Sequence, residues 1–527
     1  MRVTGFDIVA GRVFVPSGLH KVGQAMITGL TDPATINDQH DRRMLWRILA
    51  LSMLVRGLLA TFTPLGVDEA YAIAVAREFS WSFFDHPPLA FWSPVVAANL
   101  TGVEHQLVFR APALLYGSIT TWLIYAIGSE LGGSRAGLWA ALLHATTPAF
   151  LLAGLIILPD GPLGVGSAYC VLWLVRIAKS SEPVPMTNWV LMGAGLAVAL
   201  ASKYQAAFIP IATLSFMLIS PVGRRWFRLP GPYVAALIGL IGLAPVLLWN
   251  VQNDWASFSF HGGRTGKGLH PENLTLMLVG QVLYLLPPVI VMAAVALWRG
   301  LRSDQAERLL LALIAFGPII AFNIVYLLSA KSFPHWTMPG WIFALPLIGA
   351  MLSHASPMNL RRTRRYLIGF AAPVIVLLFV FSLHSVTGFL GRYSDSPPAW
   401  DQTADMFDYN PLYQQLMERG DLENIDLIAA NTWISAGFMS GAMQGKWPVR
   451  VLSGPKHHFQ FMTGHTKTGR ALVLDPVLIA QGSENLEKML KLALQIDPSA
   501  KALESVVLNR GSKPYITVNV IQLTIEN

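Results

Sequence analysis

Ionisable side chains gather in one short stretch that lies between two apolar segments. Residues 66–92 read GVDEAYAIAVAREFSWSFFDHPPLAFW, with the carboxylate pair Asp68 and Glu69 near the start and Asp85 and His86 in front of two prolines. A carboxylate can take a proton from a hydroxyl group within hydrogen-bond reach, and aspartate and histidine are also metal ligands. The stretch therefore indicates acid–base chemistry or metal binding at the mouth of two hydrophobic segments.

Other ionisable residues lie near the ends of further apolar segments. These residues are Asp160, Lys203, His261, Arg264, Lys267, Lys331 and His335. Any one of them alone is more often a solvated loop residue than a functional group, so the prediction of a site rests on their convergence. Arg56 is different because it lies inside an apolar segment, where an unpaired guanidinium is costly. Lipid phosphate, Asp68 or Asp160 is its expected partner.

The elements that must position these residues are helices in a membrane. Of the 527 residues, 53% are hydrophobic and only 13% are charged, whereas a soluble domain carries about 25% charged residues. The net charge of +8 is spread over short basic clusters between apolar runs. Such clusters are typical of topology signals rather than of nucleic-acid binding. The single cysteine, Cys170, excludes an intramolecular disulfide.

Eleven runs have a length that suits a helix crossing a bilayer, about 17–25 residues. They cover residues 44–63, 110–130, 136–158, 162–178, 187–202, 204–220, 232–250, 274–297, 308–328, 336–353 and 366–387. We therefore expect a cytoplasmic segment at 1–43, which lacks the pattern of a signal peptide. A transmembrane catalytic domain at 44–387 and a soluble domain at 388–527 should follow.

The distribution of lysine and arginine orients these spans. With the N-terminus inside, the inner loops hold thirteen basic residues and the outer loops before residue 388 hold six. The positive-inside rule selects this orientation, and the odd number of spans then places the tail in the periplasm. The loop 64–109 and the ionisable residues near the other segment ends fall on the same outer side. We therefore predict a polar site at the outer lipid–water boundary.

The tail beyond residue 388 differs in character from the rest of the chain. It contains the strand-like runs IDLIAA, PVRVLSG, ALVLD and YITVNVIQLTI and one helical run, ENLEKMLKLAL. This mixture predicts a small α/β or α+β domain. The adjacent His457 and His458 make a poor chelating pair, and we expect both on the surface of this domain.

The order of several motifs resembles that of a known family. DEAY, AREF and DHPPLAFW are similar to the first outer loop of the GT-C membrane glycosyltransferases, in the branch of bacterial protein O-mannosyltransferases and lipid A aminoarabinose transferase. The resemblance continues over about residues 40–390. It includes RAPALLYG, SRAGLWAALLHATTPAFLLAG, LPDGPL, ASKYQAAFIP, LLWNVQNDWASFSFH and KSFPHWTMPGW.

The form DEAY…DHPP resembles one subgroup of this branch, the lipopolysaccharide-core galacturonosyltransferases. Aminoarabinose transferases usually have an arginine where Tyr71 stands and a lysine where His86 stands. These two differences put a direct transfer of the aminoarabinose assignment in doubt.

The resemblance implies an α-helical polytopic GT-C fold in the bacterial inner membrane and an inverting glycosyl transfer. The sugar, galacturonic acid in the subgroup, would move from a polyprenyl-phosphate donor to lipopolysaccharide core, lipid A or another envelope glycan in the periplasm. Membrane lipid and these substrates are the implied partners, and nucleic acid is not among them.

The same resemblance implies roles for the ionisable residues. Asp68 matches the general base and Asp160 a second acidic position, with Glu69 beside them. The donor phosphate would be bound by Lys203, Arg56, Arg77, Arg264 or Lys331. His86 and Tyr71 would contact substrate. No cofactor is certain, but Asp85, His261 and His335 could hold a divalent ion, zinc or magnesium.

Two alternatives stay open. One is a protein O-glycosyltransferase that uses the same type of lipid donor, because nothing in the sequence separates a serine hydroxyl from a sugar hydroxyl as acceptor. The other is a secondary transporter. Transporters place their polar groups near the middle of the membrane in matched halves, whereas the ionisable residues here gather at the outer level.

Overall fold

Helices form most of the chain up to residue 391, as the apolar composition predicts. The structure is a computed structural model, and it describes residues 39–181, 183–263, 268–329, 333–391, 401–479 and 484–526. The predicted cytoplasmic segment 1–43 lies almost entirely outside the described residues. The helices of this part are α1 (Gln39–Phe62), α2 (Val67–Ala76), α3 (Leu89–Thr101), α4 (Gln106–Thr146), α5 (Pro148–Ala153), α6 (Asp160–Lys179), α7 (Met186–Leu200), α8 (Phe208–Ile219), α9 (Pro221–Trp226), α10 (Gly231–Gln252), α11 (Ala256–Gly262), α12 (Asn273–Leu285), α13 (Pro287–Leu301), α14 (Ala306–Leu328), α15 (Met338–Ser353) and α16 (Pro357–Thr387).

Each of the eleven predicted spans has a helical counterpart. In the described residues, seven helices are long and apolar enough to cross a membrane, or eight when the bent pair α12–α13 is taken as one span. One of the seven, α4, contains two predicted spans joined at a kink, where Gly133 has a φ of 76°. The shorter apolar helices α7 and α8 match the two spans that were separated at Lys203. The prediction of a polytopic helical fold is confirmed.

Two predicted spans are wrong in detail, and proline is the reason in both. The span 136–158 ends at Thr146, because Pro148 starts the separate helix α5. The span 274–297 is two helices that meet at an angle of 98°. Leu286, at the break, has a φ of 72°, and Pro287 follows it. Proline cannot donate the backbone hydrogen bond that would continue the preceding helix.

The C-terminal domain is built on one mixed sheet. In the described residues its strands are β1 (Leu427–Ala430), β2 (Val449–Val451), β3 (Gly469–Leu478), β4 (Lys501–Ala502), β5 (Val506–Arg510) and β6 (Lys513–Ile525), and its helices are α17 (Asn410–Glu418), α18 (Trp433–Ala442), α19 (Thr463–Thr466) and α20 (Glu484–Ile496). β1 runs parallel to β2 and β3, and β6 runs antiparallel to β3, β4 and β5. All four predicted strands and the predicted helix are present, whereas β4 and β5 were not predicted.

The loop 64–109, which we call the outer loop after its predicted orientation, folds into α2 and α3 and shares a hydrophobic core with the C-terminal domain. Ala72 and Phe91 of the loop lie in one buried cluster with Met439 and Phe459 of the domain. The helices α2 and α18 approach closely at Gly437, where a Cβ atom would come within 2.9 Å of the backbone nitrogen of Tyr71. The loop is therefore held between the membrane helices and the C-terminal domain.

Candidate functional site

A buried ion pair joins two of the predicted site residues. Asp160 is the first residue of α6, and its carboxylate accepts a hydrogen bond of 2.7 Å from the Nζ atom of Lys203. Lys203 follows the end of α7 in an extended conformation, with only 8% of the residue exposed. Either charge would be costly to bury without the other, so the two side chains stay paired. The pair therefore holds the end of α7 against the start of α6.

An apolar cavity opens beside this pair. It encloses about 130 Å³, and Asp160 and His335 are among the residues that line it. His335 lies in the 3-10 turn Pro334–Thr337, within electrostatic range of Asp160 and Lys203. Most of the wall is apolar and includes Phe150 and Gly154. Asp160 and His335 therefore stand at an apolar recess, with Lys203 paired to Asp160 beside it.

A buried amide positions the turn that carries His335. The Oε1 atom of Gln281 on α12 accepts hydrogen bonds from Thr337 Oγ1 at 3.1 Å and Trp341 Nε1 at 2.9 Å, and its Nε2 atom donates to Asn323 Oδ1 at 3.0 Å. The neighbouring Gly280 leaves room for Pro334, whose ring would lie 2.3 Å from a Cβ atom at this position. The face of α12 is thus shaped to receive the turn Pro334–Thr337.

Asp68 lies in the first turn of α2 and remains exposed. It is not among the residues that line the cavity beside Asp160. The protein around its carboxyl group disfavours the charged form, and the nearby charges of Glu69 and Asp405 add to this effect, so the pKa of Asp68 is raised. An accessible carboxylate with a raised pKa is a stronger base than an ordinary aspartate, which suits the predicted role of general base.

Glu69 has a structural environment instead of a catalytic one. Its carboxylate is 3% exposed and accepts two hydrogen bonds from Arg110, at 2.8 and 2.5 Å. The backbone nitrogens of Gly66 and Ile157 donate to the same group at 3.0 Å. Burial alone would raise the pKa of Glu69, but the charge and hydrogen bonds of Arg110 lower it. Because its acceptor positions are occupied, the prediction of a catalytic Glu69 is not supported.

Tyr71, Asp85 and His261 form a second polar group beside Asp68. The hydroxyl of Tyr71 lies 3.4 Å from Asp85 Oδ1. Burial, and then the charges of Asp85 and Asp68, raise the pKa of Tyr71 well above its usual value, so this hydroxyl stays protonated. His261 Nε2 lies 2.9 Å from the backbone oxygen of Asp85. His86 lies within electrostatic range of Asp160, which connects this group to the ion pair.

The predicted metal ligands Asp85, His261 and His335 do not form a metal site. His261 Nε2 contacts the backbone oxygen of Asp85, while His335 lies within electrostatic range of Asp160 and Lys203. Within the described ranges, no group of three or more histidine, cysteine, aspartate or glutamate side chains is arranged to hold an ion. The geometry does not fit this three-ligand site, and the bound ion remains a prediction from the sequence.

Two arginines that were predicted to bind phosphate have other partners. Arg56 is fully buried, and it donates to the backbone oxygens of Leu151 at 3.2 Å and Phe150 at 3.1 Å. It therefore braces α5, which lies just before Asp160 in the sequence, and does not contact Asp68 or Asp160. Arg77 forms an ion pair with Glu104 at 2.5 Å on the outer loop. Two further candidates, Arg264 and Lys331, lie outside the described residues together with Lys267.

His458 links three parts of the chain, and the sequence analysis missed it. His457 and His458 are 5% and 2% exposed, so the prediction that both lie on the surface is wrong. His458 Nδ1 accepts a hydrogen bond from the backbone nitrogen of Phe84 at 3.1 Å, and the His458 nitrogen donates to Tyr71 Oη at 3.0 Å. Its ring also lies 5.8 Å from that of Trp249 on α10. The surrounding aromatic residues were the available signal, but they do not identify the partners.

Burial, with the neighbouring His457, lowers the pKa of His458 to about 3. The ring is therefore neutral at physiological pH, and its protonated nitrogen is Nε2 because Nδ1 accepts. His458 acts as a neutral tether between the outer loop and the C-terminal domain.

Comparison with known proteins agrees with this architecture. The family described as dolichyl-phosphate-mannose-protein mannosyltransferase matches residues 85–249, which is less than half of the chain. No curated protein matches. The chain is similar to the crystal structure of ArnT from Cupriavidus metallidurans bound to undecaprenyl phosphate, with a TM-score of 0.61 and 14% identity, over 89% of this chain and 97% of that one. The apo structure of the same protein gives the same values.

These comparisons define the class of fold. The protein is a polytopic helical membrane protein of the GT-C fold with a C-terminal sheet domain. Within that class, ArnT is a solved structure to which the chain is similar over most of its length.

Proposed function

We propose that this protein is a membrane glycosyltransferase that moves a sugar from a polyprenyl-phosphate carrier to an envelope glycan at the outer face of the membrane. The sugar is a hexuronic acid such as galacturonic acid, and the acceptor is the core or lipid A part of lipopolysaccharide. This assignment follows the subgroup that the DEAY…DHPP motifs resemble.

One observation carries the proposal. Asp160 and His335 line an apolar cavity and Lys203 is paired with Asp160, in a fold shared with a protein whose crystal structure contains undecaprenyl phosphate. A lipid-linked donor needs both an apolar recess for its isoprenoid chain and a cation near its phosphate. Lys203 has three N–H donors, and the hydrogen bond to Asp160 uses one of them.

The reaction is a displacement at the anomeric carbon of the donor sugar. The oxygen of the acceptor hydroxyl forms the new bond to this carbon, and the bond between the carbon and the phosphate oxygen breaks. The phosphate leaves with the electron pair, near Lys203, and the hydroxyl proton moves to Asp68. Attack opposite to the leaving phosphate inverts the anomeric configuration.

The environments of the two aspartates support this division of roles. Asp160 is paired with Lys203, and a carboxylate in an ion pair is a poor proton acceptor. Asp68 is exposed, and its pKa is raised by the surrounding protein, Glu69 and Asp405. Asp68 is therefore the better base, while Asp160 holds Lys203 in place.

A protein O-mannosyltransferase is the second candidate. The family match over residues 85–249 favours it, since that family is described by transfer of mannose to protein. The donor side of the site is the same in both proposals. Only the acceptor differs.

The test compares the envelope of a wild-type strain with that of a deletion strain by mass spectrometry of its glycolipids and glycoproteins. We expect one sugar to disappear from lipopolysaccharide and to return when the wild-type gene, but not the Asp68→Asn variant, is supplied. Loss of sugar from glycoproteins with unchanged lipopolysaccharide would select the second candidate. No change in either fraction would contradict both.

A further inference from the structure

A second and larger cavity lies where the outer loop meets the C-terminal domain. It measures about 630 Å³, against about 130 Å³ for the cavity beside Asp160. Ala70, Ile73 and Arg77 line one wall, and their spacing places them on one face of α2. The opposite wall comes from α17 and from the end of α18. We call this cavity the loop–domain groove.

The polar groups of the groove suit a ligand that carries many hydroxyls. Four side-chain amides line it: Gln106, Asn410, Gln414 and Gln444. An amide both donates and accepts hydrogen bonds, as a sugar hydroxyl does. Asn410 and Gln414 are exposed and stand one helical turn apart on α17. They can therefore contact neighbouring hydroxyls of one ligand.

An aromatic ring lies on the same side of α17 as two of the amides. Tyr413 lies between Asn410 and Gln414 in the same helix and also lines the groove. Lys446 holds its hydroxyl with a hydrogen bond of 2.8 Å, and the Lys446 Nζ atom lies 4.3 Å from the ring centre. A fixed aromatic face beside planar hydrogen-bonding groups offers an apolar surface to the C–H face of a pyranose ring.

The groove has no excess of positive charge. Arg77 is neutralised by Glu104 through two hydrogen bonds of 2.5 and 2.7 Å, and Asp408 adds a carboxylate. A binding site for a phosphate-rich ligand needs an excess of cations. This lining favours a neutral, hydroxyl-rich ligand instead.

We propose that the loop–domain groove binds saccharide units of the acceptor, at a distance from the hydroxyl that reacts. This inference rests on the proposed function and adds a binding site for the acceptor glycan. It also gives Arg77 a role in this groove, away from the donor phosphate.

The position of the groove relative to Asp68 supports this role. The groove and Asp68 lie on different sides of α2, a separation of about 10 Å across a helix. One segment of the C-terminal domain lies close to both Asp68 and the groove. The charge of Asp405 in this segment raises the pKa of Asp68, and Phe407 and Asp408 line the groove. Pro64 and Gln106, at the outer ends of α1 and α4, also line it. A glycan attached to a lipid in the membrane can thus enter the groove and reach Asp68 around the start of α2.

A glycine in the wall allows a precise block of the groove. Gly441 lines the cavity near the end of α18, and a Cβ atom there would meet nothing within 4 Å. Gly441→Phe should therefore fill the groove without disturbing the core. Gly369→Phe is the matched control, because Gly369 on α16 also has open space around its Cβ position and lies far from the groove in the sequence.

A second pair of variants removes the amides. Asn410→Ala combined with Gln414→Ala takes away two exposed groups of the groove. Its control is Lys491→Ala combined with Gln495→Ala, two exposed positions at the same spacing on α20 of the same domain.

The probe is the oligosaccharide released by mild acid from lipopolysaccharide of the deletion strain. Its binding to the purified full-length protein is measured by titration calorimetry. We expect the dissociation constant to rise at least tenfold in Gly441→Phe and about fivefold in the double alanine variant. Both controls should stay within twofold of wild type. In transfer assays with the intact lipopolysaccharide, the acceptor KM should rise in parallel while the donor KM stays within twofold.

These measurements distinguish a wrong assignment of the groove from a wrong proposed function. Wild-type binding and acceptor KM in both groove variants would overturn the groove assignment and leave the glycosyltransferase proposal standing. Absence of oligosaccharide binding to the wild-type protein would also overturn the groove assignment. Specific loss of oligosaccharide binding in the groove variants, with no sugar transfer by the wild type, would support the groove and refute the proposed function.

Discussion

The ion pair at the membrane cavity and the junction between the outer loop and the C-terminal domain are both buried, but they use polar groups in opposite ways. At the cavity, Asp160 and Lys203 are charged and matched. In the buried part of the junction, the contacts are aromatic rings and neutral hydrogen bonds, with His458 and Tyr71 kept uncharged by burial. The first arrangement can respond to a charged substrate. The second holds the loop rigid.

This difference indicates which region can interact with a charged substrate and which region stabilises the structure. A buried charge is costly, so it persists where function or a partner requires it. A neutral aromatic junction contributes stability through packing and resists changes of pH. The substitutions below test this division, from the largest expected effect to the smallest.

Asp68→Asn should lower the rate of sugar transfer about a thousandfold, because general-base catalysis contributes about 10²–10⁴-fold. The amide keeps the shape of the exposed side chain, so the melting temperature should hardly change. Initial rates with the lipopolysaccharide acceptor and a thermal shift assay measure the two effects. A variant that retains wild-type turnover would remove Asp68 from the mechanism.

The pH profile sharpens the same prediction. Since the pKa of Asp68 is raised, its basic form is lost at a higher pH than for an ordinary aspartate. As the pH falls through this raised pKa, kcat/KM of the wild type should fall with it. The residual activity of Asp68→Asn should not show this fall of kcat/KM at low pH.

Glu69→Gln should instead destabilise the protein by about 3 kcal/mol, because it leaves the buried charge of Arg110 without its partner. The melting temperature and the yield of folded protein should drop. Any molecules that remain folded should keep a donor KM near that of the wild type. A stable but inactive Glu69→Gln protein would return Glu69 to the catalytic group.

Lys203→Met should raise the donor KM about thirtyfold while the acceptor KM changes less than threefold. The substitution removes the cation that is paired with Asp160, a residue lining the cavity. Lys203→Arg is the control, since it keeps the charge and should recover part of the donor affinity. Equal changes of both KM values would contradict a role at the donor phosphate.

His458→Ala should cost about 2 kcal/mol of stability, because the backbone N–H of Phe84 loses its buried acceptor. His458→Asn can still accept this hydrogen bond and should recover part of the loss. Since the pKa of His458 is about 3, the shape of the pH–rate profile above pH 5 should not change in either variant. A shifted profile would show that His458 takes part in proton transfer and would break the distinction between the two regions.

Local pattern accounts for the parts of the structure that were predicted well. Length and apolarity of single runs placed a helix at each of the eleven spans, and alternation and apolar runs placed β1, β2, β3, β6 and α20. The strand β4 was missed because it has only two residues, and β5 was missed although it is longer than β1 and β2; both pair with β6. The bend at Leu286 was missed although Pro287 and Pro288 mark it.

The sequence by itself determined the membrane-spanning helices, the C-terminal domain and the candidate residues Asp160, Lys203 and His335, since each follows from residues close to a segment end. Only the tertiary structure decided which charged residue meets which partner. Glu69 and Arg110 are 41 residues apart, Arg56 and Phe150 are 94 apart, and His458 and Phe84 are 374 apart. Hydrophobic periodicity is a local property, whereas the pairing of buried polar groups depends on how distant helices pack. The sequence could therefore name the candidates, and packing alone separated the exposed Asp68 from the buried Glu69 and Arg56.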